Sequence, residues 1–211
     1  MTKSDGKRSP TIVVRLALPP ETPRWPPAMP PQSPMDPPMP KPKPMKTGVP
    51  ADSLIAAHVA GSDFHDAWSL EVADARSSAL ELFIRSASAA PPWIERCMAL
   101  RNRAAALAGL KDLGSLGAID LGREAATYRR GERICSFTLL HNADDEALLG
   151  DADKHLEVVL STHRQRLDAS RVVVTVTTVV KVRNLLGHLY MIPVRPMHRL
   201  IAPAVLASLA A

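Results

Sequence analysis

The sequence predicts an α+β domain, with helices on one face of a curved antiparallel sheet, preceded by a proline-rich tail. Three observations carry this. Fifteen of the 20 prolines fall between Pro10 and Pro50. Beyond Pro50, helical periodicity dominates first and period-two alternation takes over later in the chain. The strongest strand signal, Arg171–Arg183, is a valine and threonine run with one apolar and one polar face. Helices segregated from a meander of strands define the α+β class.

Residues 1–50 form the tail. They carry eight Lys/Arg against three Asp/Glu, whereas residues 51–211 carry eighteen of each, so the formal +5 belongs to the tail. A folded part without surplus positive charge is no nucleic-acid-binding domain. No window approaches the roughly 18 uncharged apolar residues that a membrane span needs. The tail has one aromatic residue, Trp25, too little apolar content to offset its ordering entropy, and is expected to be disordered with polyproline II character. It is an inert extension, a ligand for a proline-recognising domain, or a basic tether through Lys41, Lys43 and Lys46. Thr11–Pro19, broken by Arg15, is too short for a secretion signal. Cys97 and Cys135 lie in apolar runs, as core thiols of a reducing compartment do. The expected location is cytoplasmic.

Residues 51–211 form a single domain. Ser53–Ala60 is expected to make a short helical turn ended by Gly61. Asp63–Leu70 alternates, with Phe64, Asp66 and Trp68 on one side, and reads as the first strand. Asp74 is expected to cap a helix whose apolar positions Leu80, Phe83, Ile84 and Ala87 follow helical spacing. Pro91 and Pro92 break it, and Pro92 suits the first turn of a second helix. That helix carries a stripe of Trp93, Cys97, Leu100, Ala104 and Leu107, with Ile94, Met98 and Ala105 beside it, and Gly109 and Gly114 stop it.

Period two then begins. Ile134–His141 places Cys135, Phe137, Leu139 and His141 on one face. Glu146–Leu149 is a short strand, Gly150–Lys154 a turn, and Leu156, Val158 and Leu160 alternate in the next strand. In Arg171–Arg183 the residues Val172, Val174, Val176, Val180 and Val182 oppose Thr175, Thr177 and Lys181, a half-buried antiparallel strand. After Gly187 a short strand is expected through Tyr190, then a closing helix from about Pro196. Its Met197, Leu200, Ile201, Ala204 and Val205 give it an apolar face to lay across the sheet. A domain of this size buries roughly 70% of its unfolded surface and needs no metal or disulfide for stability.

Catalytic signatures are sparse. His155 and His163 share one strand eight residues apart, about 26 Å at strand rise, too far to share an ion. Asp144 and Asp145 lie at one end of a strand and Asp151 and Asp153 at the other, each pair read as a solvated turn. The spacings CxxC, HExxH, GxSxG, GxGxxG and the P-loop do not occur. Neither metal nor cofactor is expected. Five polar residues nonetheless sit where plain surface is not the first expectation, each with a structural alternative. Arg101, on the inward edge of the second helix, either snorkels to water or faces a pocket. His141 ends an apolar strand face and is a pocket group or a hydrogen-bonded rim histidine. Tyr190 suits a half-wet cavity wall or a core site with a satisfied hydroxyl. Arg195 and His198, expected at the start of the closing helix, suit a carboxylate held at a helix N-terminus, or local capping.

The element order resembles the helix-grip fold of the START/Bet v 1-like (SRPBCC) superfamily, which implies a sheet closed over a ligand cavity by a long C-terminal helix. A closer resemblance is to a bacterial domain-of-unknown-function family, DUF2867. The stretches that carry it are Gly61-Ser-Asp-Phe-His-Asp-Ala-Trp68, Pro92-Trp-Ile94 with Leu100-Arg-Asn102, and Glu146-Ala-Leu-Leu-Gly150 with Lys154-His-Leu-Glu157. Val174-Thr-Val-Thr-Thr178 running into Val182-Arg-Asn184, then Gly187-His-Leu-Tyr190, Val194-Arg-Pro-Met-His198 and Ile201-Ala-Pro203, complete the set. Met197 departs from the aromatic usual before that histidine. The resemblance implies a fold and no catalytic residues.

Three functions from different classes fit this reading. The first is a binding module whose sheet and C-terminal helix enclose an apolar cavity for a small hydrophobic or amphipathic molecule. The second is a small enzyme of the cyclase, dehydratase or hydrolase kind, with His141, His198 or Tyr190 as acid or base. The third is an interaction protein acting through its proline-rich tail.

Overall fold

The computed structural model describes residues 42–107, 119 and 121–210. Strands β1 (Met45–Thr47), β2 (Phe64–Val72), β3 (Arg133–Ile134), β4 (Phe137–Asn142), β5 (Glu146–Ala152), β6 (Leu156–Arg166) and β7 (Val172–Val182) build one sheet. Its order is β1-β2-β7-β6-β5-β4-β3, with every pairing antiparallel. Helices α1 (Ala56–Val59), α2 (Ala79–Ser88), α3 (Pro92–Leu107) and α4 (Leu185–Ala207) complete the domain. The α+β class and the curved antiparallel sheet agree with the sequence expectation. Among the described residues no helix is long and apolar enough to cross a membrane.

Pairing fixes which side chains share a face. Trp68 lies opposite Val176, Val180 opposite Val158, and Leu160 opposite Leu149. The even-numbered residues of β2, β6 and β7 therefore form the inner face, toward α2 and α4. At one end Leu80, Phe83 and Ile84 of α2 pack with Leu139 and Leu149. Beside them Leu82, Val172, Val174, Leu206 and Leu209 form a second cluster that seats the end of α4. The outer face is more polar and is covered at Glu146 by the segment before α1. There Ser53 and Ser161 hydroxyls donate to Glu146 Oε1 at 2.5 and 2.6 Å, and the Leu54 N–H donates to Oε2 at 2.8 Å. A buried carboxylate is tolerable because these donors replace its water.

Several expectations need correction. Met45–Thr47, placed in the tail by composition, extends the sheet by pairing with Ala67–Ser69. An edge strand asks only for backbone pairing, which composition does not reveal. Residues 1–41 lie outside the described residues, as do Gly109 and Gly114. The cap of α2 is Ser78, in a capping box with Glu81, while Asp74 organises the preceding loop through Arg76, Ser77 and Arg85. In α3 the buried anchor is Ile94, with Trp93 and Leu100 exposed. Gly150 continues β5 and does not begin the turn.

The largest correction concerns the C-terminus. Gly187–Tyr190 is no strand; α4 runs unbroken from Leu185, capped by Asn184, whose side chain accepts from the Gly187 N–H. Gly187 is there for close approach, since a Cβ would stand 2.5 Å from the His155 carbonyl oxygen. Pro193, Pro196 and Pro203 are accommodated inside the helix. The carbonyls they leave without an i+4 donor belong to Leu189, Ile192 and Arg199, all exposed residues, so water replaces the lost bonds.

Candidate functional site

Between the sheet and α4 lies a cavity of about 640 Å³. Its floor is Leu156, Val158 and Leu160 of β6 with Val176, Thr178 and Val180 of β7. Phe64 and Phe137 stand at its sides, Phe83 and Ala87 close it from α2, and Cys97, Met98, Leu100 and Arg101 line it from α3. The roof is α4, from Leu186 to Leu206. Among the lining residues there is no Asp or Glu. A space of this size falls within the range of small-molecule pockets. The floor falls where the valine pattern put it. Of the roof positions read from the sequence, Met197, Ile201 and Val205 line the cavity, whereas Leu200 is exposed and Ala204 does not line it; Ala202 does.

Three of the five polar residues singled out in the sequence reach this cavity: Arg101, Tyr190 and His198. Arg101 and Tyr190 meet across the α3–α4 seam. The Arg101 Nε–H donates to the Tyr190 hydroxyl, Nη1 donates to Asn102 Oδ1 at 2.7 Å, and the guanidinium carbon lies 5.5 Å from the tyrosine ring centroid. The arginine is tied inward to the roof, not snorkelled along the helix. Leu100 and Leu189, beside them, both line the cavity and are 68% and 61% exposed, which makes this seam its mouth.

His198 lies well inside α4, two turns beyond Tyr190, so the expected helix N-terminus is not beside it. Its partner is Asp66 of β2, a residue only 7% exposed, whose Oδ2 lies 3.1 Å from His198 Nδ1 and also accepts from Trp68 Nε1 at 3.3 Å. Phe64 packs edge-on to the imidazole at 5.6 Å. Burial by itself pushes the Asp66 carboxyl up. The His198 hydrogen bond and charge, with Trp68 and the Lys46 ammonium, outweigh burial and hold it below the ordinary range. An ionised carboxylate only accepts, so His198 Nδ1 carries the hydrogen between them.

The other two residues lie elsewhere. Arg195 donates from Nη2 to the Asp63 carbonyl at 3.1 Å, tying α4 to the start of β2 outside the lining. His141 is turned away by a bulge. Leu139 pairs with Leu149 but His141 pairs with Leu148, so the register slips by one and His141 joins the outer face. Asp66 was missed as a site residue, although its signal was legible: an acidic side chain between Phe64 and Trp68 on an apolar strand face.

With this geometry in place, comparison with known proteins gives one match. A family model described as "Protein of unknown function (DUF2867)" matches residues 58–205, which contain every lining residue except Leu206. No curated protein and no solved structure matches the chain.

Proposed function

The chain belongs to the DUF2867 family, and we propose that its domain is a binding module for one small hydrophobic or amphipathic molecule. The observation that carries this is the 640 Å³ cavity with an almost wholly apolar wall. Ligand sites of this kind span about 300–1,000 Å³ and use a few placed polar groups on an apolar lining. Here those groups are Arg101, Tyr190 and His198. The described lining residues fall between Phe64 and Leu206, which supports binding by the domain. The balanced charge of residues 51–211 supports a small-molecule partner over a nucleic acid. Two free thiols support a cytoplasmic location. Native mass spectrometry of freshly purified protein and titration with the uncharged dye Nile red test the reading. A co-purifying small molecule, or saturable dye binding that it displaces, is expected. Apoprotein that takes up no dye refutes it.

One observation favours a second reading, a small enzyme. A buried carboxylate orienting a cavity-wall histidine is an arrangement able to move a proton at Nε2. For a mere binding site, His198→Gln changes affinity alone; for an enzyme it abolishes turnover of whichever bound molecule native mass spectrometry identifies.

A further inference from the structure

Resting on the reading of the cavity as a ligand site, we infer that its occupant is an anionic amphiphile, in the simplest case a single-chain carboxylate, whose head group is held by Arg101 against Tyr190. Among the described lining residues Arg101 carries the one permanent charge, and none of them is acidic. Among the described residues it has no carboxylate partner, and there its donors reach only the Tyr190 hydroxyl and Asn102 Oδ1. A guanidinium offers five N–H donors, so the fork retains capacity for a bidentate oxyanion. The Nε bond to Tyr190 and the Nη1 bond to Asn102 already hold its plane, which lowers the ordering cost of binding.

His198 does not compete for the head group. Its Nδ1 belongs to Asp66. The positive charge of the described lining therefore sits at Arg101, next to the exposed Leu100, and the wall of Val158, Val176 and Ile201 is apolar. That polarity gradient matches an amphiphile entering tail first. A neutral occupant forgoes the charge-assisted hydrogen bonds that a carboxylate makes with the guanidinium.

The experiment compares dodecanoate with dodecan-1-ol, equal in chain length, on the full-length protein at pH 8 and below micellar concentrations, by displacement of Nile red and by calorimetry. Hydrogen bonds to a charged group contribute about 1.5–3 kcal/mol, so dodecanoate is expected to bind about 10- to 100-fold more tightly. In Arg101→Gln this preference collapses; in Tyr190→Phe it falls less. Wild-type protein that binds both within threefold, or that prefers the alcohol, overturns the inference and leaves the cavity reading intact. So does an Arg101→Gln protein that keeps the preference. Nile red binding with neither chain bound overturns the head-group inference alone, whereas no binding of dye or chains overturns the cavity reading itself. The wild-type comparison needs no variant, so it decides even if Arg101→Gln does not fold.

Discussion

Filling the cavity from its roof separates a pocket from a packed core. Ala202 lines the space from α4, and Ala202→Leu adds three carbons with almost no change in helix propensity. If the space is open, burial at about 0.8 kcal/mol per methylene gives roughly 2.4 kcal/mol. Ordering the new side chain costs about 0.5–1 kcal/mol. The net gain of about 1.5 kcal/mol raises Tm by roughly 3–6 °C at this chain length. The larger Ala202→Trp occupies more of the 640 Å³ and is expected to weaken Nile red binding at least tenfold. The assay is thermal unfolding by circular dichroism beside dye titration of the same samples. In a filled core the sign reverses, because overpacking costs about 1–3 kcal/mol. A fall in Tm for both variants, with no dye bound by the parent, would refute the cavity.

The geometry makes three other outcomes testable. Gly187→Ala puts a Cβ 2.5 Å from the His155 carbonyl oxygen and 2.8 Å from Val182 Cγ1, so urea unfolding should show a loss of about 1–3 kcal/mol. Asp66 and Asp74 both have carboxyl groups held below the ordinary range in the folded state; their stabilisation is complete above the unfolded value near 3.9 and lost as pH falls through the folded one, so acid titration of stability should steepen below about pH 4 and Asp74→Asn should flatten it. Burial pushes the Cys135 thiol up to about 11, so iodoacetamide at pH 8 should leave Cys135 unmodified until the protein is unfolded, as peptide mass mapping would show.

The parts legible in the sequence were those governed by one local rule. Alternation in β7 gave both its faces, because a strand buried on one side repeats every second residue. Pro92 and the spacing of Leu80, Phe83, Ile84 and Ala87 gave α2 and the start of α3. What failed depended on a second element. Gly187 read as a break before a short strand, and the closing helix as starting near Pro196, yet the glycine answers a contact with His155 and α4 takes in Pro193 and Pro196 as well as Pro203. The bulge that turns His141 outward lies in the β4–β5 pairing, and nothing in Phe137–Asn142 alone encodes it. The site shows the same division. Arg101 and Tyr190 were separately suspicious, but their meeting across 89 residues is tertiary, as is the Asp66–His198 pair across 132.

The roof itself is fastened at both ends. At its start Asn184 donates to the Lys154 carbonyl and contacts His155 Nδ1 at 3.1 Å, and Gly187 closes on the same turn. At its end Leu206 and Leu209 sit in the core, and the Ser208 hydroxyl donates to the Ser86 carbonyl at 2.9 Å. Detaching α4 as a whole would therefore expose a core cluster and break a cap. The middle is held differently. Pro193 and Pro196 each remove one backbone bond. The contact across to α3 there is the Arg101–Tyr190 bond, flanked by exposed leucines. A tie made of side chains is weaker than the capped and core-seated ends, so hydrogen exchange of backbone amides in the middle of α4 is expected to be faster than at Leu206, and equal protection along the helix would refute this.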